Sequence, residues 1–265
     1  MSSPAGGQMM SWRMALASFS VLVVFLAAWE WLPGLLGIPP FILPSASRTW
    51  QEMLRMIANE RMFWHAGITS MEVVVGFVLG SLLGMMIGYV LGISPRTELV
   101  LSPYILALQI APKVAFAPLF VTWLGYTVYP KILVAILIVF FPVMVNVLTA
   151  IRTVDPDMIN LARSFSASRF QIFRMIEYPA TLPPLFAGLR IGATLAVIGV
   201  VVGELVGGNL GLGFLLITGE GQGNTAMVFV TIFCLTVIGI VAYGAVVLAE
   251  NRVLHYMPRA QHTAV

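Results

Sequence analysis

Six stretches of this chain are each long enough to cross a lipid bilayer as a helix, and none carries more than two charged side chains. They run from about Met14 to Leu36, Ile68 to Ile93, Leu99 to Leu124, Ile132 to Ile151, Leu185 to Val206 and Ala226 to Ala249. About 20 apolar residues cover the roughly 30 Å of hydrocarbon in a bilayer, so each stretch predicts one transmembrane helix. Composition agrees. With 59% hydrophobic and 9% charged residues, and a mean hydropathy of +0.96, the chain is excluded from soluble domains, where about a quarter of residues are charged. The predicted fold class is all-α and integral to the membrane. Residues 1–13 form an N-terminal tail, 14–250 the transmembrane domain and 251–265 a C-terminal tail, with both ends on one side.

The first stretch follows Arg13, and a basic residue before an apolar run also opens a secretory signal. Trp29, Glu30 and Trp31 stand where a small-residue cleavage site is needed, and aromatic residues suit a membrane interface, so an uncleaved first helix is expected. The single cysteine, Cys234, lies inside the last stretch and predicts no intrachain disulfide.

Lys and Arg accumulate on the cytoplasmic side of short loops. One orientation puts Arg13, Arg96, Arg152, Arg163, Arg169, Arg174, Arg190, Arg252 and Arg259 inside, and leaves Arg48, Arg55, Arg61 and Lys131 outside, with Lys113 within a span. Nine against four predicts cytoplasmic termini. The same bias accounts for the net charge of +3 without a nucleic-acid partner. On the outer face, Trp50, Met53, Leu54 and Ile57 recur at helical spacing between charges, the pattern of an amphipathic interfacial helix.

The polar island between the fourth and fifth spans, residues 152–184, holds Arg163, Arg169 and Arg174. Asp155, Pro156 and Asp157 form a helix start: a capping carboxylate, a proline where no N–H is needed, and a second acid at the positive end of the dipole. Ser168 followed by Gln171 predicts a capping box for a second short helix, which Pro179, Pro183 and Pro184 should keep from running into the next span. Ile159, Ala162 and Phe165 can form one apolar face, and Phe170, Phe173 and Ile172 or Ile176 another. Such a pair can lie on lipid headgroups or dock a cytoplasmic partner.

The island resembles the cytoplasmic loop of ABC importer permeases, whose motif reads E-A-A, three residues, G, nine residues, I, one residue, L-P. The corresponding positions here are Asn160, Leu161 and Ala162, then Ser166, Ile176, Tyr178 and Pro179. Asn160, Ser166 and Tyr178 depart from the motif. Serine is costlier than glycine wherever the turn needs a positive φ. The stretches "PKVAFAPLFVTWLG" from Pro112, "FFPVMVN" from Phe140, "LPPLFAGLRIG" from Leu182 and "GELVGGNLGLGFLL" from Gly203 also resemble the nitrate, sulfonate and taurine branch of these permeases, which includes carriers of pyrimidine and riboflavin-type precursors.

The resemblance implies a type I ABC importer permease fold in a bacterial inner membrane. It implies a homodimer with two ATPase subunits and an extracytoplasmic substrate-binding protein. The loop, with Asn160, Leu161, Ala162, Arg163, Phe165, Ser166 and Ser168, would be the ATPase-docking coupling helix. ATP and Mg would be bound by the partner, with no cofactor on this chain. Its run "GNLGLGF" lacks the Lys-Ser/Thr ending of a phosphate loop, and His65, His255 and His262 lie too far apart for metal spacing.

Gly76, Gly80, Gly84, Gly88 and Gly92 recur every fourth residue and predict a flat face for close helix packing, and Gly188, Gly192 and Ala196, then Gly199, Gly203 and Gly207, do something similar in the fifth span. In the third span Pro103, Pro112 and Pro118 each remove a backbone donor, and broken helices mark transport pathways. Lys113 and Gln109 lie four residues apart beside the central proline. Lys113 can assist an anionic or polar solute, snorkel, or pair with Glu204; Asn146 and Glu204 are further pathway candidates. An ion-gradient-driven secondary transporter is the rival class, but no inverted repeat is visible. An intramembrane enzyme would need a nucleophile with a base, or a metal cluster, within the spans.

Overall fold

The computed structural model describes residues 5–255; the Arg13 side chain, Arg259 and His262 lie outside the described residues. All regular elements among the described residues are helical. They are α1 (Ala5–Leu35), α2 (Ala46–Asn59), α3 (Met62–Ile93), α4 (Pro95–Ile110), a 3₁₀ turn (Lys113–Phe116), α5 (Ala117–Leu124), α6 (Val128–Arg152), α7 (Pro156–Ser164), α8 (Arg169–Ile172), a π-turn (Phe173–Glu177), α9 (Tyr178–Gly207), α10 (Leu212–Gly221) and α11 (Thr225–Val253). Among the described residues, five helices are long and apolar enough to cross a membrane, and the broken pair around Pro112, bent by 79°, makes a sixth if counted as one span. The break falls at the middle proline of the three. Pro118 sits in the first turn of α5, where its missing N–H leaves no bond unmade, and α4 continues through Pro103.

The expectation that prolines separate the loop from the fifth span is corrected. A continuous helical stretch runs from Arg169 to Gly207. The backbone absorbs Pro179 by widening into the π-turn, where Tyr178 N–H bonds Phe173 O. The Thr181 hydroxyl adds a bond to Glu177 O at 2.6 Å. The helices reach into the assigned tails: α1 begins at Ala5, nine residues before position 14, and α11 ends at Val253, three residues beyond position 250.

Two compact units divide the described residues, one within 64–214 and from 234 onward, the other up to 63 with 215–233. In the first, α6 is the buried centre. Val134, Ala135, Val139 and Val143 on this helix have no exposed surface. The α3 glycine stripe lies directly on it: a Cβ added to Gly84 would stand 2.7 Å from Phe140 O, and one at Gly88 2.5 Å from Met144 O. The second glycine row, on α9, meets the same helix except at Gly207, which lies against Val121 of α5. A Cβ at Gly199 would stand 2.7 Å from Ala135 Cα and one at Gly203 2.6 Å from Lys131 Cα. Both rows therefore serve close backbone packing, which maximises dispersion contacts where no hydrophobic force drives helices together.

In the second unit, α2 is pinned by its ends. Ser45 caps it, while Glu30 accepts from Ser47 N at 2.8 Å and Ser47 Oγ at 2.7 Å. Trp29 Nε1 donates to Pro44 O at 2.9 Å. The expected two-faced helix is present: Met56 is fully buried, and Trp50, Leu54 and Ile57 are exposed on one flank. On the polar flank, Glu52 takes Arg55 at 2.6 Å and Asn224 at 2.9 Å. The Arg55 guanidinium holds the Glu52 carboxyl below its ordinary value against partial burial.

Gly88→Val should destabilise the protein by about 1–3 kcal/mol through overpacking, read as a lowered unfolding temperature in detergent. Gly67→Ala, where nothing lies within 4 Å of the added Cβ, should leave it unchanged.

Candidate functional site

The loop between α6 and α9 is built by local chemistry. Asp155 Oδ1 accepts from Asp157 N at 2.8 Å to start α7. The helix ends in a Schellman pattern, with Ala167 N bonded to Ala162 O at 3.0 Å and Ser166 N to Arg163 O at 2.9 Å. Such an ending needs a left-handed residue after the cap, and Ser166 supplies it at φ +56°. This is the position where the loop motif has glycine. The capping box is complete: Gln171 N donates to Ser168 Oγ and Ser168 N to Gln171 Oε1, the latter at 2.7 Å.

The apolar face of α7 is not the one that spacing suggested. Ile159 and Ala162 are half-buried, whereas Met158, Leu161 and Phe165 are exposed, the last at 80%. Positions 158, 161 and 165 recur at three and four residues, so they form one outward stripe. Asn160 and Arg163 flank it, exposed. On α8, Phe170 is exposed in the same way.

The broken span positions Lys113 at the end of α4. Its ammonium donates to Gln109 O and lies 4.7 Å from the centre of the Phe141 ring. A cation bonded to the last carbonyls of a helix is favoured by the dipole and satisfies acceptors that the break has freed. Gln109 is exposed. Asn146 is half-buried and donates back to Pro142 O at 2.8 Å, next to Gly188.

Glu204 does not pair with Lys113. It is 1% exposed and accepts from the Thr69 hydroxyl at 2.7 Å and Gly213 N at 2.6 Å. The buried lysine partner is elsewhere: Lys131, 3% exposed, binds Glu72 Oε1 at 2.9 Å and Leu210 O at 3.2 Å. Lys131 was expected in an outer loop, and its correction to the interior leaves three basic residues in the outside tally. Leu212 N donates to Thr69 Oγ1 at 2.8 Å and Gly211 N to His65 Nδ1 at 3.0 Å. Side chains of α3, α6 and α9 thus hold the backbone of the turn at 210–213, the glycine-rich run that has no phosphate-loop ending. Gly211, at φ +107°, is pressed against Glu204 and leaves no room for a side chain. A signal for this cluster was present: His65, Thr69 and Glu72 stand four and three residues apart on one helical face.

Comparison with known proteins decides the family. Residues 76–255 match the family described as binding-protein-dependent transport system inner membrane component. The chain belongs to that family. It is 36% identical over 240 residues to the riboflavin transport system permease protein of Chloroflexus aurantiacus, covering 89% of this chain and 88% of that one. It is 31% identical over 232 residues to the formylaminopyrimidine transport permease protein of Halalkalibacterium halodurans, covering 88% and 92%. The taurine transport system permease protein of Escherichia coli is 28% identical over 244 residues, covering 88% of each. This family member is a multi-pass transport permease subunit, and the secondary-transporter reading is set aside.

Lys131→Met alone leaves Glu72 buried without its cation, which should cost about 3–5 kcal/mol. The double variant Lys131→Met/Glu72→Leu should recover most of that loss. Unfolding temperatures of the single and double variants in detergent check both.

Proposed function

We propose that this chain forms the translocation pathway of an ATP-driven importer, as a homodimer that binds two cytoplasmic ATPase subunits, with ATP and Mg on those partners, and receives solute from an extracytoplasmic binding protein. The observation that carries it is the outward stripe of α7. Met158, Leu161 and Phe165 are exposed on a short helix that joins two apolar spans and is flanked by arginine. Burying two or three such side chains in a partner groove is worth about 1.5–3 kcal/mol each, enough to couple its motion to that of the loop. The distribution of arginine supports cytoplasmic termini, and the family description supports a bacterial inner membrane.

The solute proposed is small and polar or anionic, of the sulfonate, taurine, nitrate, pyrimidine-precursor or riboflavin type. The names of the riboflavin, formylaminopyrimidine and taurine relatives support that range. Along the pathway, Lys113 and Gln109 are the foremost candidates, because the broken span leaves Gln109 exposed and Lys113 half-buried beside the carbonyls of Gln109 and Ala111. Asn146 and Glu204 have their polar groups engaged within the protein and are assigned to packing.

Leu161→Asp or Phe165→Asp should lower retention of the ATPase in the purified complex at least about tenfold, since each removes an apolar anchor and presents a charge to the groove. Full retention by both variants would return α7 to a lipid-surface helix. Lys113→Met should leave retention intact and slow uptake; unaltered uptake of whichever solute the complex carries would remove it from the pathway.

A further inference from the structure

The junction between the α7–α8 loop and α9 is where that helical stretch is short of regular backbone hydrogen bonds. Pro179, Pro183 and Pro184 have no N–H, so the carbonyls of Met175, Pro179 and Ala180 lack their helical donors. Immediately before them the backbone is in the π-turn, and π-turns and prolines are where helices bend. A force applied at α7 and α8 would be absorbed there unless something stiffened the junction.

The structure places one brace at that point. Tyr89 OH, from α3, donates to Glu177 Oε2 at 2.9 Å. Glu177 is the last residue of the π-turn and is 8% exposed. Phe173, its first residue, meets the Tyr89 ring edge-on at 5.2 Å and 74°. Both ends of the turn are thus held by one side chain. Its support is firm, because Gly88 and Gly92 on either side of Tyr89 press α3 onto α6 at Met144 and Ile151.

We propose that Tyr89 is a positioning residue for energy coupling: its bond to Glu177 braces the π-turn, so that displacement of the docking loop is carried into α9 and not lost in bending. This rests on the docking reading of α7. The hydroxyl supplies the bond and the ring supplies the edge contact, so Tyr89→Phe removes the first and keeps the second.

The test uses the complex with its ATPase in lipid nanodiscs, spin-labelled at Phe170→Cys and Ile198→Cys in a Cys234→Ser background and spin-diluted to isolate one protomer. The two labels are 28 residues apart, about 42 Å along a helix, and straddle the turn and all three prolines. Pulsed dipolar spectroscopy is recorded without nucleotide and after trapping with ATP and vanadate. With the brace intact, the distance distribution stays narrow in both states. In Tyr89→Phe it widens about twofold on trapping, with ATPase retention unchanged. Glu177→Gln, which keeps an acceptor oxygen, remains narrow; Glu177→Ala widens as Tyr89→Phe does, and combining the two adds nothing further. A narrow distribution in trapped Tyr89→Phe, or further widening in the double variant, overturns the brace. Loss of ATPase by Leu161→Asp alongside a narrow Tyr89→Phe distribution would remove the brace alone. Retention by Leu161→Asp and Phe165→Asp would remove the docking reading and the brace with it.

Discussion

Close approach of three backbones is the constraint on which the larger compact unit depends. The central helix α6 receives the glycine row of α3 and that of α9, and at Gly84, Gly88, Gly199 and Gly203 an added Cβ would come within 3 Å of α6 backbone. Lipid tails are as apolar as leucine, so burial alone does not hold these helices together; contact density does. Two rigid interfaces on one helix also give the molecule fixed points. Tyr89 and Lys131 both act from helices held in this way.

The second constraint is that polar groups away from water must find partners inside the protein. The glycine-rich turn at 210–213 satisfies it with side chains, since Lys131, His65, Thr69 and Glu204 bind its backbone. The broken span satisfies it with one cation, as Lys113 reaches back to the carbonyls of α4. In both places an irregular segment is held by the charge or hydroxyl of a neighbour. This explains how a chain with only 9% charged residues keeps several of them buried: Lys131, Glu72, Glu204, Glu177 and Glu250 each bind backbone, a hydroxyl or a counter-charge.

How much of this was legible follows the range of the interactions. The six apolar stretches, the break at Pro112, the Asp155 cap and the Ser168 to Gln171 box are fixed by neighbours within a few residues, and each was readable from spacing. The glycine rows announced close packing, although their common partner was not. What escaped depended on tertiary contacts. The prolines after Glu177 looked like a stop, but the π-turn and the Thr181 hydroxyl carry the helix through. Lys131 looked like a loop residue, because its partner Glu72 lies 59 positions away. The outward stripe of α7 is rotated from the expected face, since Ile159 and Ala162 are turned inward. Ser166 is the instructive case: at the position where the loop motif has glycine, a serine bears the positive φ for which glycine is ordinarily chosen.

The account's central claim is that the exposed stripe of α7 is covered by a cytoplasmic ATPase. Site-specific photocrosslinking tests it most directly, with a photoreactive residue placed at Phe165 and, in a separate protein, at Trp50 on the exposed flank of α2. The account predicts an adduct with the ATPase subunit from position 165 and none from position 50. Adducts only with lipid from position 165, or an ATPase adduct from position 50, would contradict it.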